Sequence, residues 1–234
     1  DGESYTKPGL YKSNNAHFTA LADKYTEAKE IYDNGNVAQY LAAYTALKDC
    51  YDALLADEYA TIALQPGSKY IIRCKGRNQT YMYLNSETSG ETTTHKVAYT
   101  DTLPESTAEN YNAFLWSVEE TGTAGKYYLK NASGENLYVL TVSAKQNEQF
   151  QCGSEKYAFG IQQVATGSNY FTFYHSSDPS TYMNAGNNGQ VVSWDGANDN
   201  NSQWAFTLVE ADATAKARIL LEEMEGNTRT LLES

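Results

Sequence analysis

The chain of 234 residues holds 29 acidic and 17 basic residues, a net charge of -12, and 41% of it is hydrophobic. This charge repels nucleic-acid phosphates and anionic lipid surfaces, and no apolar run reaches the ~20 residues that cross a bilayer. We therefore predict a folded, soluble chain with no nucleic-acid partner and no membrane insertion.

The first part of the chain carries a helical pattern. From Ala16 to about Ala60, apolar and tyrosine side chains recur every three or four residues, which places them on one face of a helix. The turn sequence DNGN at 33–36 interrupts the pattern, so we predict an N-terminal hairpin of two antiparallel helices within 1–62. The tyrosines of this hairpin are expected to pack between helices rather than to bind a ligand: Tyr25, Tyr32, Tyr40, Tyr44 and Tyr51.

From about residue 63 to residue 210 the chain changes to short strand-like runs separated by polar turns. The closing runs AFLWSV, AFGIQQV and QWAFTLV place aromatic residues at Phe114, Phe159 and Trp204, which lie 45 residues apart. This self-similarity predicts a unit of four short strands that is used three times, with a longer Thr- and Glu-rich loop at 85–111 in the first unit. The opening runs KYIIRCK, KYYLKNA and NYFTFYH each carry a tyrosine: Tyr70, Tyr127 and Tyr170.

Three such units are predicted to share one core. A unit of four short strands cannot bury its apolar face alone, and a closed barrel leaves no exposed strand edges. We therefore predict a mainly β chain with added helices, in which Phe114, Phe159 and Trp204 meet as equivalent residues inside the barrel. A sandwich of about twelve short strands is the alternative.

The last residues, 211–234, return to a helical pattern. Ile219 and Leu220 lie on the predicted apolar side of this helix, and Gly226 is its weak point. We predict that this C-terminal helix packs with the N-terminal hairpin into a small helical bundle.

Within residues 67–210 the runs GKYYLKNASGENLYV, YMNAG, GQVVSW and NNSQWAF resemble the ricin-B-type β-trefoil lectins. The repeats of that family carry an opening Tyr strand, a Ser-Gly turn before a Leu-Asp-Val-like strand, and a closing Gln-x-Trp. The resemblance implies a β-trefoil over 63–210 and carbohydrate binding as its function. In such a site a sugar stacks its C–H face on an aromatic ring, while its hydroxyl groups meet fixed donors and acceptors.

The resemblance places the sugar site in the third repeat. There Asn184 stands where the family has its acid, Trp194 ends the third strand as the aromatic platform, and Asn201 and Ser202 precede the closing Trp204. We expect carbohydrate contacts from Asn184, Trp194, Asn201 and Ser202. An amide accepts a hydroxyl less strongly than a carboxylate does, so the exchange at Asn184 weakens the site. In the other two repeats the acid is expected to be replaced by tyrosines: Tyr83 and Tyr138.

Catalytic and metal sites are not predicted. The histidines His17, His95 and His175 lie in different segments, and none belongs to a zinc-protease or hydrolase motif. The run DGANDNN at 195–201 lacks the residue order of a calcium loop and is expected to be a solvated turn. The widely spaced cysteines are expected to be small buried thiols, and a pairing of two of them stays open: Cys50, Cys74 and Cys152.

Two functions follow as hypotheses. The first is a non-catalytic carbohydrate-binding module of a secreted or cell-surface protein, without cofactor or metal. The second is a protein-interaction or structural module, in which the trefoil is a rigid scaffold and the helices or the 85–111 loop contact another protein or domain. The first residues, DGESYTKPG, lack the basic and apolar regions of a signal peptide, so an exported chain is expected to be already processed.

Overall fold

The computed structural model describes residues 16–35, 37–56, 64–140, 146–165, 168–210 and 212–233. The chain divides into two compact units: a helical unit made from both chain ends, up to Ala63 and from Glu210, and a β unit from Leu64 to Val209. The segment DGESYTKPG and the expected end of the second helix near Ala60 lie outside the described residues.

The helical unit contains α1 (Ala16–Asp33), α2 (Val37–Leu55) and α3 (Asp212–Glu233), and each helix packs against the other two. Gly35 adopts a φ of 64° in the turn between α1 and α2, a conformation that glycine reaches without steric cost. The predicted helical bundle is therefore confirmed. Its core consists of buried aliphatic side chains from all three helices: Leu21, Leu47, Leu54, Leu220 and Met224.

Two details of the helical unit bear on its predicted faces. Of the five tyrosines, Tyr40 is buried and donates to the Met224 carbonyl oxygen at 3.3 Å, while the other four are half-buried. The prediction for Ile219 is wrong, because its side chain is 49% exposed. Ala217, Leu220 and Met224 define the buried face of α3 instead, at the three- and four-residue spacing of one helical stripe.

None of the described helices has the length and hydropathy that crossing a bilayer requires.

In the described part of the chain the β unit contains twelve strands in three groups of four. The first group is β1 (Lys69–Cys74), β2 (Tyr81–Ser89), β3 (Thr92–Thr100) and β4 (Leu115–Glu120). The second group is β5 (Lys126–Asn131), β6 (Tyr138–Leu140), β7 (Gln151–Gly153) and β8 (Ala158–Gln163). The third group is β9 (Tyr170–His175), β10 (Tyr182–Ala185), β11 (Val191–Trp194) and β12 (Trp204–Glu210).

The first and fourth strands of the three groups form a closed ring. Each strand of the series β1, β4, β5, β8, β9 and β12 is hydrogen-bonded to the next, and β12 returns to β1. The second and third strands form three hairpins, which bond to each other through Val97 N to the Phe150 carbonyl oxygen at 2.9 Å and Phe150 N to the Val191 carbonyl oxygen at 3.0 Å. A six-stranded ring with three hairpins is a β-trefoil, so the barrel prediction is confirmed over the sandwich.

Equivalent residues of the three repeats follow from the strand register. Tyr70 lies opposite Trp116, Tyr127 opposite Phe159, and Phe171 opposite Trp204. Trp116 Nε1 donates to the Met82 carbonyl oxygen at 3.1 Å, and Trp204 Nε1 donates to the Met183 carbonyl oxygen at 2.9 Å. The same bond to the same position of the second strand identifies the two tryptophans as counterparts. All three closing aromatic side chains are fully buried: Trp116, Phe159 and Trp204.

This register corrects two predictions. Phe114 is not the counterpart of Trp204, since it ends a 3-10 turn (Tyr111–Phe114) and its ring stacks on Tyr83 at a centroid distance of 5.2 Å. Phe171, rather than Tyr170, is the opening counterpart of Tyr70 in the third repeat.

The expected loop at 85–111 is largely a β-hairpin. Strands β2 and β3 pair continuously from Tyr81 opposite Thr100 to Ser89 opposite Thr92. Threonine favours strands, and Gly90 at the tip has a φ of 63° that suits a tight turn. The hairpin of the first repeat is therefore longer than those of the other two.

Candidate functional site

The second strands of the repeats bring three tyrosines to equivalent positions. Tyr81 lies opposite Arg73, Tyr138 opposite Lys130, and Tyr182 opposite Tyr174. Two residues further along each strand, Tyr83, Leu140 and Asn184 are therefore equivalent. The sequence-based placement of Tyr138 at the position of Asn184 is wrong, and Leu140 occupies that position instead.

The third repeat carries a row of aromatic side chains on the outer face of its strands. Tyr174 lies opposite Tyr182, and Tyr182 lies opposite Trp194, across β9, β10 and β11. Directly opposite residues of antiparallel strands share one face, and all three side chains are half-buried. The Tyr174 ring covers Gly160 of β8 so closely that a side chain at residue 160 would collide with it. We call Tyr174, Tyr182 and Trp194 the aromatic row.

In the first two repeats a cation covers the tyrosine that is equivalent to Tyr182. The Arg73 guanidinium lies 5.1 Å from the centre of the Tyr81 ring, and Lys156 Nζ lies 4.5 Å from the centre of the Tyr138 ring. Among the residues that the structure describes, no lysine or arginine is in cation–π contact with the aromatic row. Among the described residues, Tyr182 therefore lacks the cation that covers each of its two counterparts, and in this sense the aromatic row is uncovered.

A polar cluster lies beside the aromatic row on the same face. Asn184 Nδ2 donates to Ser202 Oγ at 2.9 Å and to Asp199 Oδ2 at 3.2 Å. Asp199 precedes a 3-10 turn (Asn200–Ser202), and its Oδ1 accepts the Asn201 backbone N–H at 3.0 Å. Asn184 is 4% exposed and Ser202 is fully buried, whereas Asp199 is partly exposed. Asp199 is therefore the most accessible of these three residues.

Glycines join the polar cluster to the aromatic row and to the first repeat. A methyl group added at Gly196 would lie 3.2 Å from Trp194 Cδ1 and 3.4 Å from Asp199 Cβ, so the chain passes between the indole and the carboxylate. The Asn201 side chain rests against Gly76, where no side chain fits. Gly76 N also donates to the Asn200 carbonyl oxygen at 3.0 Å. Only small residues permit this close approach of the two loops.

Of the residues expected to bind sugar, the structure brings Asn184 and Ser202 into direct contact. Trp194 lies near them through Gly196 and Asp199, and Asn201 is partly exposed with its side chain turned against Gly76. Sequence reasoning missed Tyr182 and Asp199. A signal for Asp199 is present in the run DGANDNN. Asp199 stands two residues before Asn201 and accepts its backbone N–H, a spacing typical of an Asx turn.

The equivalent positions in the other repeats lack this polar cluster. Tyr83 and Phe114, which replace Asn184 and Ser202 in the first repeat, form a stacked aromatic pair. Leu140 and Tyr157 stand at these positions in the second repeat, and Leu140 has no polar side-chain atom. The pattern of polar and aromatic groups is thus specific to the third repeat.

One histidine and two of the cysteines are buried: His175, Cys74 and Cys152. His175 is fully buried against Phe150 and Phe159, its Nε2 lies 3.1 Å from Ser193 Oγ, and burial lowers its pKa. The cysteines are free, which answers the open question of pairing, and burial raises the pKa of Cys74 to about 12 and that of Cys152 further. A thiol held protonated is a poor nucleophile. In the described part of the chain no group of three or more His, Cys, Asp or Glu could hold a metal ion.

Two cavities lie away from the third repeat. One of about 310 Å³ lies between α1 and α2, lined by Ala28, Ile31 and Ala42 among others, and one of about 180 Å³ lies at the turn between β4 and β5. Neither is lined by a residue of the aromatic row or the polar cluster. The candidate site therefore lies outside these two cavities.

No protein-family model matches the chain, and no curated protein matches it significantly. Among solved structures, it is similar to a GlcNAcα1-4Gal-releasing endo-β-galactosidase from Clostridium perfringens, with 20% identity, 61% of this chain covered and a TM-score of 0.46. It is also similar to a Polyporus squamosus lectin bound to a human-type influenza-binding epitope, with 19% identity, 63% of this chain covered and a TM-score of 0.47. A Macrolepiota procera ricin B-like lectin in complex with lactose has 15% identity with this chain, covers 62% of it and gives a TM-score of 0.46.

These similarities differ in how much of the other protein they include. The matched region is 33% of the endo-β-galactosidase chain, 51% of the Polyporus lectin and 97% of the Macrolepiota lectin. The likeness to ricin-B-type β-trefoil lectins concerns the fold, and the fold itself is established by the closed ring of six strands.

Proposed function

We propose that the β-trefoil unit is a non-catalytic carbohydrate-binding module and that its third repeat carries the site. The observation that supports this most strongly is the uncovered aromatic row beside a hydrogen-bonded polar cluster, on one face of β10 and β11. Trp194 is the stacking platform, and Asn184, Asn201 and Ser202 belong to the polar side of the site.

The chemistry of a sugar fits this face. A pyranose offers an apolar C–H face to an aromatic ring and hydroxyl groups to fixed acceptors and donors. The half-buried Trp194 indole supplies the ring, and the cluster around Asn184 supplies polar groups whose geometry is held by neighbouring hydrogen bonds. A shallow surface of this kind suits the end or edge of a glycan rather than a small molecule that must be enclosed.

A glycan array tests this proposal with three proteins. We expect the full chain to bind a defined set of glycans and Trp194→Ala to lose that binding. The control is Thr100→Ala, since Thr100 lies opposite Tyr81 as Trp194 lies opposite Tyr182, and it is expected to bind as the unsubstituted chain does. Silence from the unsubstituted chain would refute carbohydrate binding, and full binding by Trp194→Ala would refute the third repeat as its place.

We further propose a setting for the module. A secreted or cell-surface protein that uses the domains 1–62, 63–210 and 211–234 as a helical hairpin, a trefoil and a packing helix would present the third repeat to external glycans. Fractionation of cells that express the full-length protein, with and without permeabilisation before antibody labelling, tests this. Label that appears only after permeabilisation would contradict it.

Protein interaction through the helical unit is the second candidate function. Leu41 is 69% exposed and Ile219 is 49% exposed, so both apolar side chains are accessible to a partner. Under this alternative, one stoichiometric partner binds the chain and is lost with Leu41→Glu or Ile219→Glu. Trp194→Ala would leave such a partner bound, so the two candidates are separated by the same set of variants.

A further inference from the structure

The charge of the polar cluster belongs to one residue. Asp199 is the carboxylate of the polar cluster and is partly exposed, while the two uncharged side chains beneath it, Asn184 and Ser202, are buried. A methyl group added at Gly196 would touch both the Trp194 indole and Asp199 Cβ, so the two side chains flank this glycine. A ligand that stacks on Trp194 therefore meets Asp199 before it meets Asn184.

Asp199 also keeps acceptor capacity for a ligand. Its Oδ1 accepts one hydrogen bond from the Asn201 backbone N–H and its Oδ2 accepts one from Asn184 Nδ2. An ionised carboxylate has about four lone-pair sites, so roughly two stay available. Because a carboxylate only accepts, its contact fixes the Asn184 amide with the nitrogen toward Asp199. The amide thus holds the carboxylate in place from below.

We propose that Asp199 is the group that contacts the sugar hydroxyls, that Asn184 and Ser202 are positioning residues beneath it, and that the site selects uncharged sugars over acidic ones. This rests on the proposed carbohydrate-binding function and changes the role that the sequence gives to Asn184. The family acid at the position of Asn184 is replaced here by an acid that comes from the loop before β12.

The selection against acidic sugars follows from the charges around the site. Asp199 and the exposed Asp195 put two negative charges beside Trp194. A sugar carboxylate or sulfate would add another negative charge next to them, and juxtaposed like charges oppose binding. The cations of the adjoining loop form no ion pair with these two carboxylates in the described part of the chain, since Lys75 Nζ donates to Gln203 Oε1 at 2.7 Å and Arg77 Nη2 donates to Asn187 Oδ1 at 2.9 Å.

The first experiment exchanges the acid and the amide. Affinities for one array-positive neutral glycan are measured for the full chain, Asp199→Asn, Asn184→Asp and the double exchange of both residues. Loss of a hydrogen bond to a charged group corresponds to roughly tenfold or more, so we expect Asp199→Asn to bind at least about tenfold more weakly. The double exchange keeps the net charge and the contact between the two residues but moves the acid to the buried position, and we expect it to stay as weak as Asp199→Asn.

The outcomes of this exchange separate the two positions of the acid. Binding by the double exchange that equals or exceeds that of the unsubstituted chain would show that an acid at residue 184 contacts the sugar, which overturns the proposal. Unchanged binding by Asp199→Asn would also overturn it. A chain that binds no glycan at all removes the proposed function, and this inference with it, whereas a binding chain with insensitive variants removes only this inference.

A matched control addresses folding. Asp178 caps the backbone N–H of Ser180 two residues later at 3.0 Å, as Asp199 caps that of Asn201, but it lies in another loop of the third repeat. Asp178→Asn therefore removes one charge and one capping carboxylate without touching the polar cluster. We expect its affinity to match that of the unsubstituted chain, and thermal unfolding of each variant checks that the fold is retained.

The second experiment tests charge selection with a neutral glycan and its sialylated form. The full chain is expected to prefer the neutral form by at least about tenfold at low salt, and Asp199→Asn is expected to narrow that preference. Equal binding of both forms by the full chain would contradict the selection. A structural role of Asp199 alone would weaken both forms in parallel, so the ratio of the two affinities is the decisive quantity.

Discussion

The second and third repeats of the trefoil share one backbone plan but present different surfaces. Tyr138 and Tyr182 occupy the same strand position, yet Tyr138 donates to Glu119 Oε1 at 2.9 Å and is covered by Lys156, while Tyr182 lies between two aromatic neighbours. Lys156 in turn bonds Glu119 Oε2 at 2.7 Å. One repeat covers its outer tyrosine with its own charges, and the other places it between aromatic side chains, where we propose that a ligand binds.

The three repeats agree in the residues that face the core and differ in the residues that face solvent. The inner positions keep equivalent packing in all copies, with Trp116, Phe159 and Trp204 fully buried. The outer positions face solvent, so their side chains can change without a cavity or a clash in the core. Under the proposed function, a binding site is needed in a single copy only, and the other copies contribute to the scaffold.

The largest expected effect concerns the shared core. Trp116→Phe and Trp204→Phe each remove the indole donor that serves a buried methionine carbonyl oxygen, and we expect each to lower the free energy of unfolding by about 2–3 kcal/mol. Phe114→Leu is expected to cost about 1 kcal/mol, since it loses a ring stack but no hydrogen bond. Denaturant unfolding measures all three. A cost for Phe114→Leu above that of Trp116→Phe would contradict the assignment of counterparts.

The next effect concerns recognition by the aromatic row. Tyr182→Ala is expected to weaken glycan binding about fivefold, the scale of one aromatic contact. Tyr138→Ala, at the equivalent position of the second repeat, is expected to leave the affinity unchanged. Titration calorimetry with one array-positive glycan measures both, and equal losses from the two variants would remove the contrast between the repeats.

A pH effect is expected from the buried histidine of the third repeat. Burial lowers the pKa of His175, and the Asp178 carboxylate opposes this to a smaller degree. Since the unfolded chain takes up the proton more readily, the free energy of unfolding should fall as the pH drops below about 6.5. Asn131 occupies the equivalent strand end in the second repeat, also fully buried, so His175→Asn is expected to fold and to reduce this pH dependence. If His175→Asn leaves the slope of the free energy of unfolding against pH unchanged between pH 7 and 5, groups other than His175 cause this pH dependence.

The smallest effect concerns the charges that cover the second repeat. Lys156→Ala removes the cation over Tyr138 and the ion pair with Glu119. The lysine is 43% exposed, so we expect a slight, salt-dependent loss of stability and no change in glycan binding. Partial burial raises the pKa of Glu119, but the neighbouring cations and the Tyr138 hydroxyl lower it by more. The stability that the Glu119 charge supplies is therefore present at neutral pH and is lost as the pH falls below the ordinary carboxyl range. New glycan binding by Lys156→Ala would mean that the cation was blocking a second functional site.

The sequence predicts the fold well because its signal is repeated. Opening aromatic residues, turn residues and buried closing aromatics recur in each copy, so a wrong register in one copy does not hide the repeat. The register within a copy is less certain, since Phe114 and Trp116 stand two residues apart and both suit an inner position of a strand. The turn that contains Phe114 decides between them, and its formation depends on contacts with the rest of the barrel.

The candidate site is harder to predict because its groups are distant in sequence. Asn184 and Asp199 are fifteen residues apart and meet only when the hairpin of β10 and β11 and the turn before β12 have folded. Burial differs from the expected roles, since the amide expected to bind sugar is almost covered and the unassigned Asp199 is partly exposed. The four residues expected to contact carbohydrate, Asn184, Trp194, Asn201 and Ser202, stay predictions.

The number of sugars that one chain binds tests the central claim most directly. Native mass spectrometry of the full chain at saturating concentrations of an array-positive glycan counts the bound molecules. A site confined to the third repeat predicts one glycan per chain, and none with Trp194→Ala. Two or three glycans per chain, or one that remains bound to Trp194→Ala, would contradict the assignment of recognition to the third repeat.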